Sequence, residues 1–326
     1  MICVASMRND GIRPRRLPEW LRKPAGPSGS AHAMKAALRG RSLHTVCEEA
    51  RCPNIGECFG RGTATIMIMG DICTRACGFC AVAHGLPGKL DPDEPGRVAG
   101  QVRELGLRHA VITSVTRDDL SDGGAAHFAA AISAIRAGCP ATSIEVLTPD
   151  FEGREGDIEI VCAAGPDVFN HNVETVERLT PMVRNKASYR RSLDVLTKAK
   201  NCMVSSRGAE GDVAIPRNQG DCFGASAPRN DTRYIKSGLM VGLGETRDEI
   251  DSALRDLAGV GCDIVTIGQY LQPTKKALPV AEYIEPKVFL EYEEMGLSLG
   301  IKAVFSGPFV RSSYMADKVI LNPPPL

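Results

Sequence analysis

The stretch Thr63–Cys80, TATIMIMGDICTRACGFC, joins an apolar run to three closely spaced cysteines. Its first seven residues are apolar or β-branched and end at a glycine, which predicts a buried β-strand. Cys73, Cys77 and Cys80 follow at once, so we expect three thiols in one tight loop at the carboxyl end of that strand. Three thiolates hold three irons of a four-iron cluster and leave the fourth iron open to a small chelating ligand.

A zinc site is the alternative for this loop. Structural zinc sites usually combine two Cys-x-x-Cys half-sites or complete the set with another Cys or His. His84 lies close enough in sequence to serve as a fourth ligand, but a second half-site does not follow it. The spacing therefore favours an iron–sulfur cluster over zinc.

Strand-like runs alternate with segments of helical period along the chain. The predicted strands are residues 63–69, 110–115, 143–147, 167–170, 236–241 and 263–270. The predicted helices are residues 98–105, 125–135, 158–164, 189–200 and 249–257. Six strands with helices between them, read as βα units, predict an α/β fold with parallel strands and right-handed crossovers. The sheet is either an open doubly wound one or a barrel-like one. In both, functional groups gather at the carboxyl ends of the strands.

Composition narrows the class of protein. The 326 residues carry 39 basic and 39 acidic side chains, so no overall field attracts nucleic acid or a membrane surface. The sequence contains no run of about eighteen apolar residues, which is the length needed to span a bilayer. Residues 1–29 lack the central apolar stretch of a secretory signal, so we expect a reducing compartment, the cytoplasm, or a mitochondrion or plastid if the source is eukaryotic. In such a compartment the twelve cysteines bind metal or lie buried rather than form disulfides.

Residues 201–232 interrupt the alternation. They are rich in Ser, Gly, Asn, Asp and Arg and have no strand or helix period, which predicts a disordered surface insertion. Cys202 and Cys222 fall inside it, and we interpret both as incidental thiols.

The second cysteine triplet, with Phe79 before its last member, resembles the signature of the radical S-adenosylmethionine (radical SAM) enzymes. The resemblance implies a partial (β/α)6 TIM-like barrel, and an open iron that chelates the methionine moiety of S-adenosyl-L-methionine. The upstream triplet Cys47, Cys52 and Cys58 resembles the auxiliary-cluster motif of the lipoyl synthases within that group. Further segments similar to lipoyl synthases are residues 113–125, 145–151, 169–174, 237–245, 268–273 and 307–316.

This resemblance implies two four-iron, four-sulfur clusters. Cys73, Cys77 and Cys80 would bind the radical SAM cluster, and the upstream triplet would bind the auxiliary cluster. In the lipoyl synthases a serine of a C-terminal Arg-Ser-Ser-Tyr motif is the fourth auxiliary ligand, which carries over to Ser313, with Ser312 as the alternative. Serine oxygen is a harder ligand than thiolate and suits iron–sulfur chemistry poorly, so that iron should be the easiest to uncover.

The implied reaction is radical insertion of two sulfur atoms at C6 and C8 of a protein-bound octanoyl group. The auxiliary cluster would donate the sulfur, and two S-adenosylmethionines would be consumed for each lipoyl group. The implied partners are octanoylated carrier proteins, such as a dehydrogenase E2 lipoyl domain or the glycine-cleavage H protein, with reduced ferredoxin or flavodoxin as electron donor. The alternatives are another sulfur-inserting enzyme similar to biotin synthase, or a non-enzymatic iron–sulfur or zinc protein.

Further residues are candidates for contact with the cofactor. Glycines permit close approach of a ligand to the backbone, which makes the loop Ser121–Gly124 a candidate cradle for the methionine moiety. The remaining candidates are Phe79, Asn170, Asn172 and Glu174, together with Ser121, Gly123 and Gly124 of that loop. Loop capping or core hydrogen bonding is the alternative role for each. Arg117 and Arg311 are candidates for contact with an acidic carrier protein.

The same resemblance divides the chain into three parts. Residues 1–60 form an N-terminal extension with the auxiliary-cluster motif, and residues 61–285 form the barrel core with its insertion. Residues 286–326 form a C-terminal extension that carries the serine motif.

Overall fold

The computed structural model describes residues 17–22, 44–49, 52, 54–60, 65–205 and 233–313. Most of the predicted insertion, residues 206–232, lies outside the described residues, as do Cys3 and Cys222.

The described chain forms two β-sheets, one large and one small. The strands are β1 His44–Thr45, β2 Thr65–Ile68, β3 Ile72–Cys73, β4 Ala83–His84, β5 His109–Ser114, β6 Ser143–Leu147, β7 Val168–Asn170, β8 Tyr234–Val241, β9 Ile264–Gln269 and β10 Ala303–Gly307. The large sheet has the order β1-β2-β5-β6-β7-β8-β9-β10, and β3 pairs with β4 in the small one. Only β1 runs antiparallel to its neighbour in the large sheet; all the other pairs are parallel.

The strand order decides between the two architectures that periodicity leaves open. A doubly wound sheet reverses its strand order at a switch point, whereas here each parallel strand lies beside its predecessor in sequence. Successive right-handed crossovers then place all the helices on one face, as in a barrel. Within the described residues the end strands β1 and β10 do not pair with each other, so the barrel is partial.

Nine α-helices lie in the described part of the chain. They are α1 Val46–Glu49, α2 Ile55–Gly60, α3 Glu94–Glu104, α4 Ala125–Gly138, α5 Glu155–Ala163, α6 Thr180–Val183, α7 Tyr189–Ser205, α8 Arg247–Gly259 and α9 Pro286–Ser298. Short 3-10 turns cover Glu19–Leu21, Phe151–Gly153 and Glu177–Leu179.

Helix α8 shows how sequence determines these elements. Thr246 caps its first turn by accepting a hydrogen bond from Glu249 N, and the Glu249 carboxylate accepts one from Thr246 N at 2.8 Å. This reciprocal capping satisfies two backbone donors that have no partner inside the helix. The buried side chains recur at helical spacing and face the sheet; they are Ile250, Ala253, Leu254 and Leu257.

The barrel wall has two faces with different chemistry. Ile144, Val146 and Phe169 belong to the main core between sheet and helices. The residues that alternate with them along the strands point to the inside of the barrel. There Val168, Tyr234 and Ile264 form a separate small apolar cluster with Ala303 and Phe305. Above that cluster, toward the carboxyl ends, the inner face turns polar.

The six predicted strands are confirmed as β2 and β5 to β9, and the five predicted helices as α3, α4, α5, α7 and α8. Helix α7 continues to Ser205, five residues beyond its predicted end. The sequence pattern predicts neither β10 and α9 nor the short elements β1, β3, β4, α1, α2 and α6. Strand β10 extends the parallel sheet by pairing with β9, so residues of the C-terminal extension belong to the barrel wall.

Replacing Leu254 with alanine tests the packing of α8. Leu254 is completely buried, so Leu254→Ala should lower the free energy of unfolding by about 2–5 kcal/mol through lost burial and the cavity left behind. Leu290 of α9 is 60% exposed, and Leu290→Ala should change it by no more than about 0.5 kcal/mol. Urea unfolding followed by circular dichroism measures both; equal losses would contradict this packing.

Candidate active site

The cysteine loop is fixed to its surroundings through its backbone. Thr74 N donates to Thr116 O at 3.0 Å, and Gly78 N donates to Val183 O at 2.9 Å. Leu278 N donates in turn to Gly78 O at 2.8 Å. A side chain at Gly78 would meet Leu278 Cδ1 at 2.9 Å, so glycine lets the loop lie between these two elements. The loop is thus held at the carboxyl end of the barrel from several sides.

The sulfur atoms of this loop lie among backbone N–H donors. Thr116 N and Arg75 N approach Cys73 Sγ at 3.3 and 3.4 Å, and Val82 N approaches Cys80 Sγ at 3.4 Å. Burial raises the pKa of Cys77 to about 11 and also raises that of Cys80. Such thiols lose their protons when a cation binds them, and hydrogen bonds to sulfur are a means of tuning iron–sulfur clusters. The donor set therefore fits an iron–sulfur cluster.

The described side chains do not converge on a single ion. No three Cys, His, Asp or Glu side chains in the described ranges come together as the ligands of one metal ion would. A four-iron cluster needs no such convergence, because each thiolate binds a different iron. His84, the alternative zinc ligand, pairs with Cys73 through the small sheet but exposes its side chain.

Arg75, between the first two cysteines of the loop, joins two strand ends. Its Nε and Nη2 donate to the Asp118 carboxylate at 2.7–3.1 Å. Its Nη1 and Nη2 donate to the Asp150 carboxylate at 3.0 and 2.8 Å. Burial alone would raise the pKa of Asp150, but the hydrogen bonds from Arg75 hold it well below its ordinary value. Because Asp118 follows β5 and Asp150 follows β6, one guanidinium ties the loop to both.

Packing accounts for the two glycines predicted to cradle a ligand. Gly124 has φ +90°, and a side chain there would lie 2.3 Å from Met69 Sδ. Gly123 has φ +60° and packs against Phe151. Between Ser121 and these glycines, Asp122 accepts hydrogen bonds from Gly124 N and Ala126 N and so caps α4. The capping role is therefore observed for Asp122, and the cofactor contacts of Ser121, Gly123 and Gly124 stay predictions.

Glu94 connects this glycine loop to the strand before the cysteine loop. Its Oε2 accepts a hydrogen bond from Met69 N at 2.8 Å and lies 2.7 Å from His127 Nε2 in α4. Glu94 therefore fixes the end of β2 against the helix that follows Gly124. Neither Glu94 nor Arg75 was singled out from sequence, since nothing local marks their distant partners.

Three of the predicted cofactor residues lie at or just after the end of β7: Asn170 and Asn172 are buried, and Glu174 is half-buried. Glu174 adopts φ +66° and continues beside β8, accepting a hydrogen bond from Met240 N at 2.9 Å. Burial raises the pKa of Glu174, and the positive charge of Arg184 opposes that shift. Glu174 also lies close enough to Cys77 and Cys80 to raise the pKa of both thiols. A strained backbone at a half-buried carboxyl residue beside the cysteine loop is typical of functional sites.

His171 points away from the site. Its Nδ1 lies 2.9 Å from Thr148 O, an acceptor, so Nδ1 carries the proton and Nε2 accepts from Ser192 Oγ at 3.0 Å. Arg184 donates to the same Ser192 oxygen and to the carbonyls of Asn172 and Val173. Burial lowers the pKa of His171 to about 4, so the imidazole is neutral and serves to hold the end of β7. Arg184 is a further residue that the sequence analysis missed.

A buried ion pair lies on the inner face of the barrel beneath these residues. Lys236 Nζ of β8 donates to both oxygens of Glu145 of β6 at 2.9 and 3.0 Å. His109 Nε2 of β5 lies 3.5 Å from the same carboxylate. Burial alone would raise the pKa of Glu145, but Lys236 and His109 lower it to about 2. Glu145 is therefore ionised at neutral pH.

The first cysteine triplet lies close to the C-terminal segment. Cys52 N donates to Cys47 O at 3.0 Å, and Cys58 N donates to Asn54 O at 2.9 Å. Asn54 Nδ2 reaches Phe309 O at 2.7 Å, four residues before Ser313. Burial lowers the pKa of Arg311, and the nearby Cys52 opposes that shift. The structure thus brings the region of the first triplet to the segment that ends in Ser312 and Ser313.

Two expectations for single residues need correction. Arg117 is not a surface contact for a carrier: it is buried, donates to Gly88 O at 2.9 Å and pairs with Asp119. Cys202 is not isolated in an irregular loop, because it lies on α7 and shares a hydrogen bond with the buried Cys162 of α5. Phe79 is half-buried against the core, so a contact with the adenine stays a prediction.

Two family models match the chain. The model of the radical SAM superfamily matches residues 67–209, and the model of the N-terminal domain of lipoyl synthase of the radical SAM family matches residues 5–52.

Curated relatives match most of the chain. The lipoyl synthase of Methylococcus capsulatus is 51% identical over 306 residues, which cover 94% of this chain and 87% of the relative. The lipoyl synthase of Rubrobacter xylanophilus is 52% identical, and the match covers 92% of this chain and 85% of the relative. That of Pyrobaculum calidifontis is 50% identical and covers 94% and 97%.

Solved structures share the fold. Methylornithine synthase superposes with a TM-score of 0.50 at 13% identity, covering 88% of this chain and 80% of the other. Streptococcus suis SuiB bound to S-adenosylmethionine superposes with a TM-score of 0.53 at 10% identity, and the match covers 78% of this chain and 54% of the other. At these identities the comparison shows the fold alone. In the described part of the chain, no helix is both long and apolar enough to cross a membrane.

Replacing Arg75 with lysine tests the anchoring of the cysteine loop. A lysine cannot fork between two carboxylates, so Arg75→Lys should cost about 1–3 kcal/mol of stability and leave Asp150 poorly paired. It should also speed alkylation of Cys77 in the metal-free protein. Arg178→Lys is the matched control, because Arg178 forks onto Glu249 at the exposed surface and its loss should leave the melting temperature nearly unchanged. Equal melting temperatures for both variants would contradict the anchoring role.

Acidification tests the Glu145–Lys236 pair. The folded-state pKa of Glu145 lies below its ordinary value of 4.5, so its ionised form stabilises the fold fully above 4.5. That contribution is lost as the pH falls through 4.5 toward about 2. Glu145→Gln lacks this dependence, so its stability deficit relative to wild type should be constant near neutrality and shrink on acidification. Urea unfolding across the pH range measures the deficit; a constant deficit down to pH 2 would refute the ion pair.

Proposed function

The chain belongs to the lipoyl synthase family of radical SAM enzymes, and on that premise we propose how its residues share the task of sulfur insertion. It is a sulfur-inserting enzyme that uses a four-iron, four-sulfur cluster and S-adenosylmethionine, and its substrates are lipoyl carrier proteins. We propose that it places two sulfur atoms at C6 and C8 of a carrier-bound octanoyl group. The contact of Asn54 with Phe309, which brings the region of the first cysteine triplet to the C-terminal serine segment, is the observation that carries this proposal.

Cys73, Cys77 and Cys80 would hold the radical SAM cluster. When bound together with S-adenosylmethionine, this cluster supplies the adenosyl radical that abstracts hydrogen. The role of the chain is to fix the thiols in place through Arg75 and the backbone contacts of the loop. The backbone N–H groups aimed at Cys73 and Cys80 stabilise thiolate sulfur there.

Cys47, Cys52 and Cys58 with Ser313 would hold a second, auxiliary cluster that provides the sulfur. The contact of Asn54 with Phe309 and the proximity of Arg311 to Cys52 support this assignment, since both bring the serine motif to the first triplet. Ser312 is the alternative ligand. An oxygen ligand binds iron in such clusters less well than thiolate does, which suits a cluster that must be dismantled.

The cofactor would bind between the cysteine loop and the ends of β5 and β7. Asn170, Asn172 and Glu174 would offer polar groups to its nucleoside, and the buried amide oxygens of both asparagines have no partner among the described residues. Ser121, Gly123 and Gly124 would approach the methionine moiety, and Phe79 the adenine. A carbon radical must not meet water or diffuse away, so the reaction requires that both clusters and the acyl chain meet in one site that excludes water.

The carrier would be an octanoylated dehydrogenase E2 lipoyl domain or glycine-cleavage H protein, with reduced ferredoxin or flavodoxin as electron donor. A biotin synthase-like enzyme is the competing function within the same fold. The upstream triplet and its contact with the C-terminal segment favour the lipoyl reaction.

Two serine variants separate the proposed ligand from its neighbour. After anaerobic reconstitution, wild type should contain about eight irons, from two four-iron clusters, and convert an octanoylated carrier peptide to the lipoylated form with S-adenosylmethionine and dithionite. Ser313→Ala should still cleave S-adenosylmethionine but lose lipoyl formation at least tenfold, whereas Ser312→Ala should retain both. Mass spectrometry of peptide and nucleoside measures the outcome. The reverse pattern would assign Ser312 instead.

Cysteine variants test the division between the clusters. Cys73→Ala and Cys52→Ala should each retain about four irons. Only Cys52→Ala should still cleave S-adenosylmethionine, because the radical cluster is intact. Cleavage by wild type without any sulfur transfer would contradict the lipoyl reaction and favour another substrate.

A further inference from the structure

The inner face of the barrel contains a hydrogen-bond arrangement that the proposed ligand sets do not explain. Asn170 is completely buried at the carboxyl end of β7. The strand register places it next to Leu147 of β6 and Lys236 of β8. Its Nδ2 donates to Glu145 Oε1 at 3.0 Å. Its Oδ1 is buried and has no partner among the described residues.

An unpartnered amide oxygen in such a place carries a cost. Leaving a buried acceptor without a hydrogen bond costs about 1–3 kcal/mol. The amide could turn over, and so leave its NH2 group instead of its oxygen without a partner, only if Glu145 could donate. Lys236 prevents that, because it binds both oxygens of Glu145 and keeps the carboxyl group ionised. An ionised carboxylate only accepts hydrogen bonds, so Asn170 must turn its NH2 group toward it.

Asn172 repeats the arrangement two residues later. Its Nδ2 donates to Glu174 Oε1 at 3.1 Å, and its Oδ1 is also buried and unpartnered. Gly238 of β8 leaves room for this group, since a side chain there would lie 3.1 Å from Asn172 Oδ1 and 2.5 Å from Thr266 Oγ1. Residues two apart on an extended chain point to the same side. In both pairs the asparagine donates its NH2 group to a glutamate oxygen, and its amide oxygen has no partner among the described residues.

We propose that Glu145 is a positioning residue: with Lys236 it selects the amide orientation in which Asn170 presents Oδ1 as an acceptor to an O–H or N–H group of the bound nucleoside. The inference rests on the proposed function, because the proposed cofactor contact of Asn170 supplies that donor. Glu145 itself does not touch the cofactor. Its effect passes through Asn170 alone.

Glu145→Gln tests this directly. A glutamine can either donate or accept, so it no longer selects one orientation of Asn170. The probe is S-adenosylhomocysteine, which has the nucleoside but is not cleaved, titrated calorimetrically into the anaerobically reconstituted protein. Glu145→Gln should weaken its binding about tenfold, the worth of one oriented hydrogen bond.

A double-mutant cycle separates positioning from a structural role. Asn170→Ala should weaken binding at least as much as Glu145→Gln, and the double variant no more than Asn170→Ala alone. Asp263→Asn is the matched control: Asp263 is a buried carboxylate just before β9 that pairs with Lys200 and Lys302 and has no hydrogen bond to either asparagine among those of the described residues. It should lower the melting temperature and leave binding unchanged.

A charge-neutral variant covers the case in which Glu145→Gln does not fold. Glu145→Gln combined with Lys236→Met removes both charges without leaving an unpaired one buried, and should weaken binding to the same extent. Additive losses in the cycle, or wild-type binding by the Glu145 variants, would overturn the inference while the proposed function stands. A wild-type protein that does not bind the probe would overturn both.

Discussion

The fork of Arg75 is the interaction on which the arrangement of the site depends. A loop of eight residues that carries three thiols keeps one orientation at the barrel mouth only where contacts fix it, and Arg75 adds to its backbone contacts and to the packing of Phe79 against the core. One guanidinium bonded to Asp118 and Asp150 fixes it to the ends of two strands at once. Asp150 is fully buried, so its charge would be strongly destabilising without this partner. The hydrogen bonds of Arg75 to both carboxylates therefore hold the three thiols in position in the metal-free protein.

The barrel wall serves both stability and chemistry because its residues alternate. Outward residues such as Val146 and Phe169 supply the apolar core under the helices, while their inward neighbours Glu145 and Asn170 carry polar groups. Polar groups inside a barrel are costly unless they pair. At the amino end the interior is filled by the apolar cluster of Val168, Tyr234 and Ile264, and pairing begins only above it. Unpaired amide oxygens occur where the wall reaches the mouth, at Asn170 and Asn172, which is where a ligand can satisfy them.

The sequence predicts those parts of the fold and site that depend on local pattern. Strands β2 and β5 to β9 follow from short apolar runs, and the cysteine loop from its spacing. Strand β10 was missed because Ala303–Gly307 is short and half-buried, and only its pairing with β9 makes it a strand. Arg75 lies inside the cysteine motif, yet its partners are 43 and 75 residues away, and Glu145 is 91 residues from Lys236. Such pairs become visible only when parallel strands bring distant segments side by side.

A partial barrel has a gap, or seam, between the two end strands of its sheet. In this protein a contact between the segments next to those strands spans the seam, although the strands themselves do not pair. Strands β1 and β10 are at opposite ends of the sheet order. The segment after β10 passes Gly268 so closely that a side chain there would lie 2.1 Å from Val310 O, and Phe309 O then accepts the hydrogen bond from Asn54. Asn54 and Phe309 are 255 residues apart in sequence. This contact joins the two ends of the sheet and also brings the region of Cys52 to the serine motif, so the proposed first cysteine site depends on the same contact that spans the gap in the barrel.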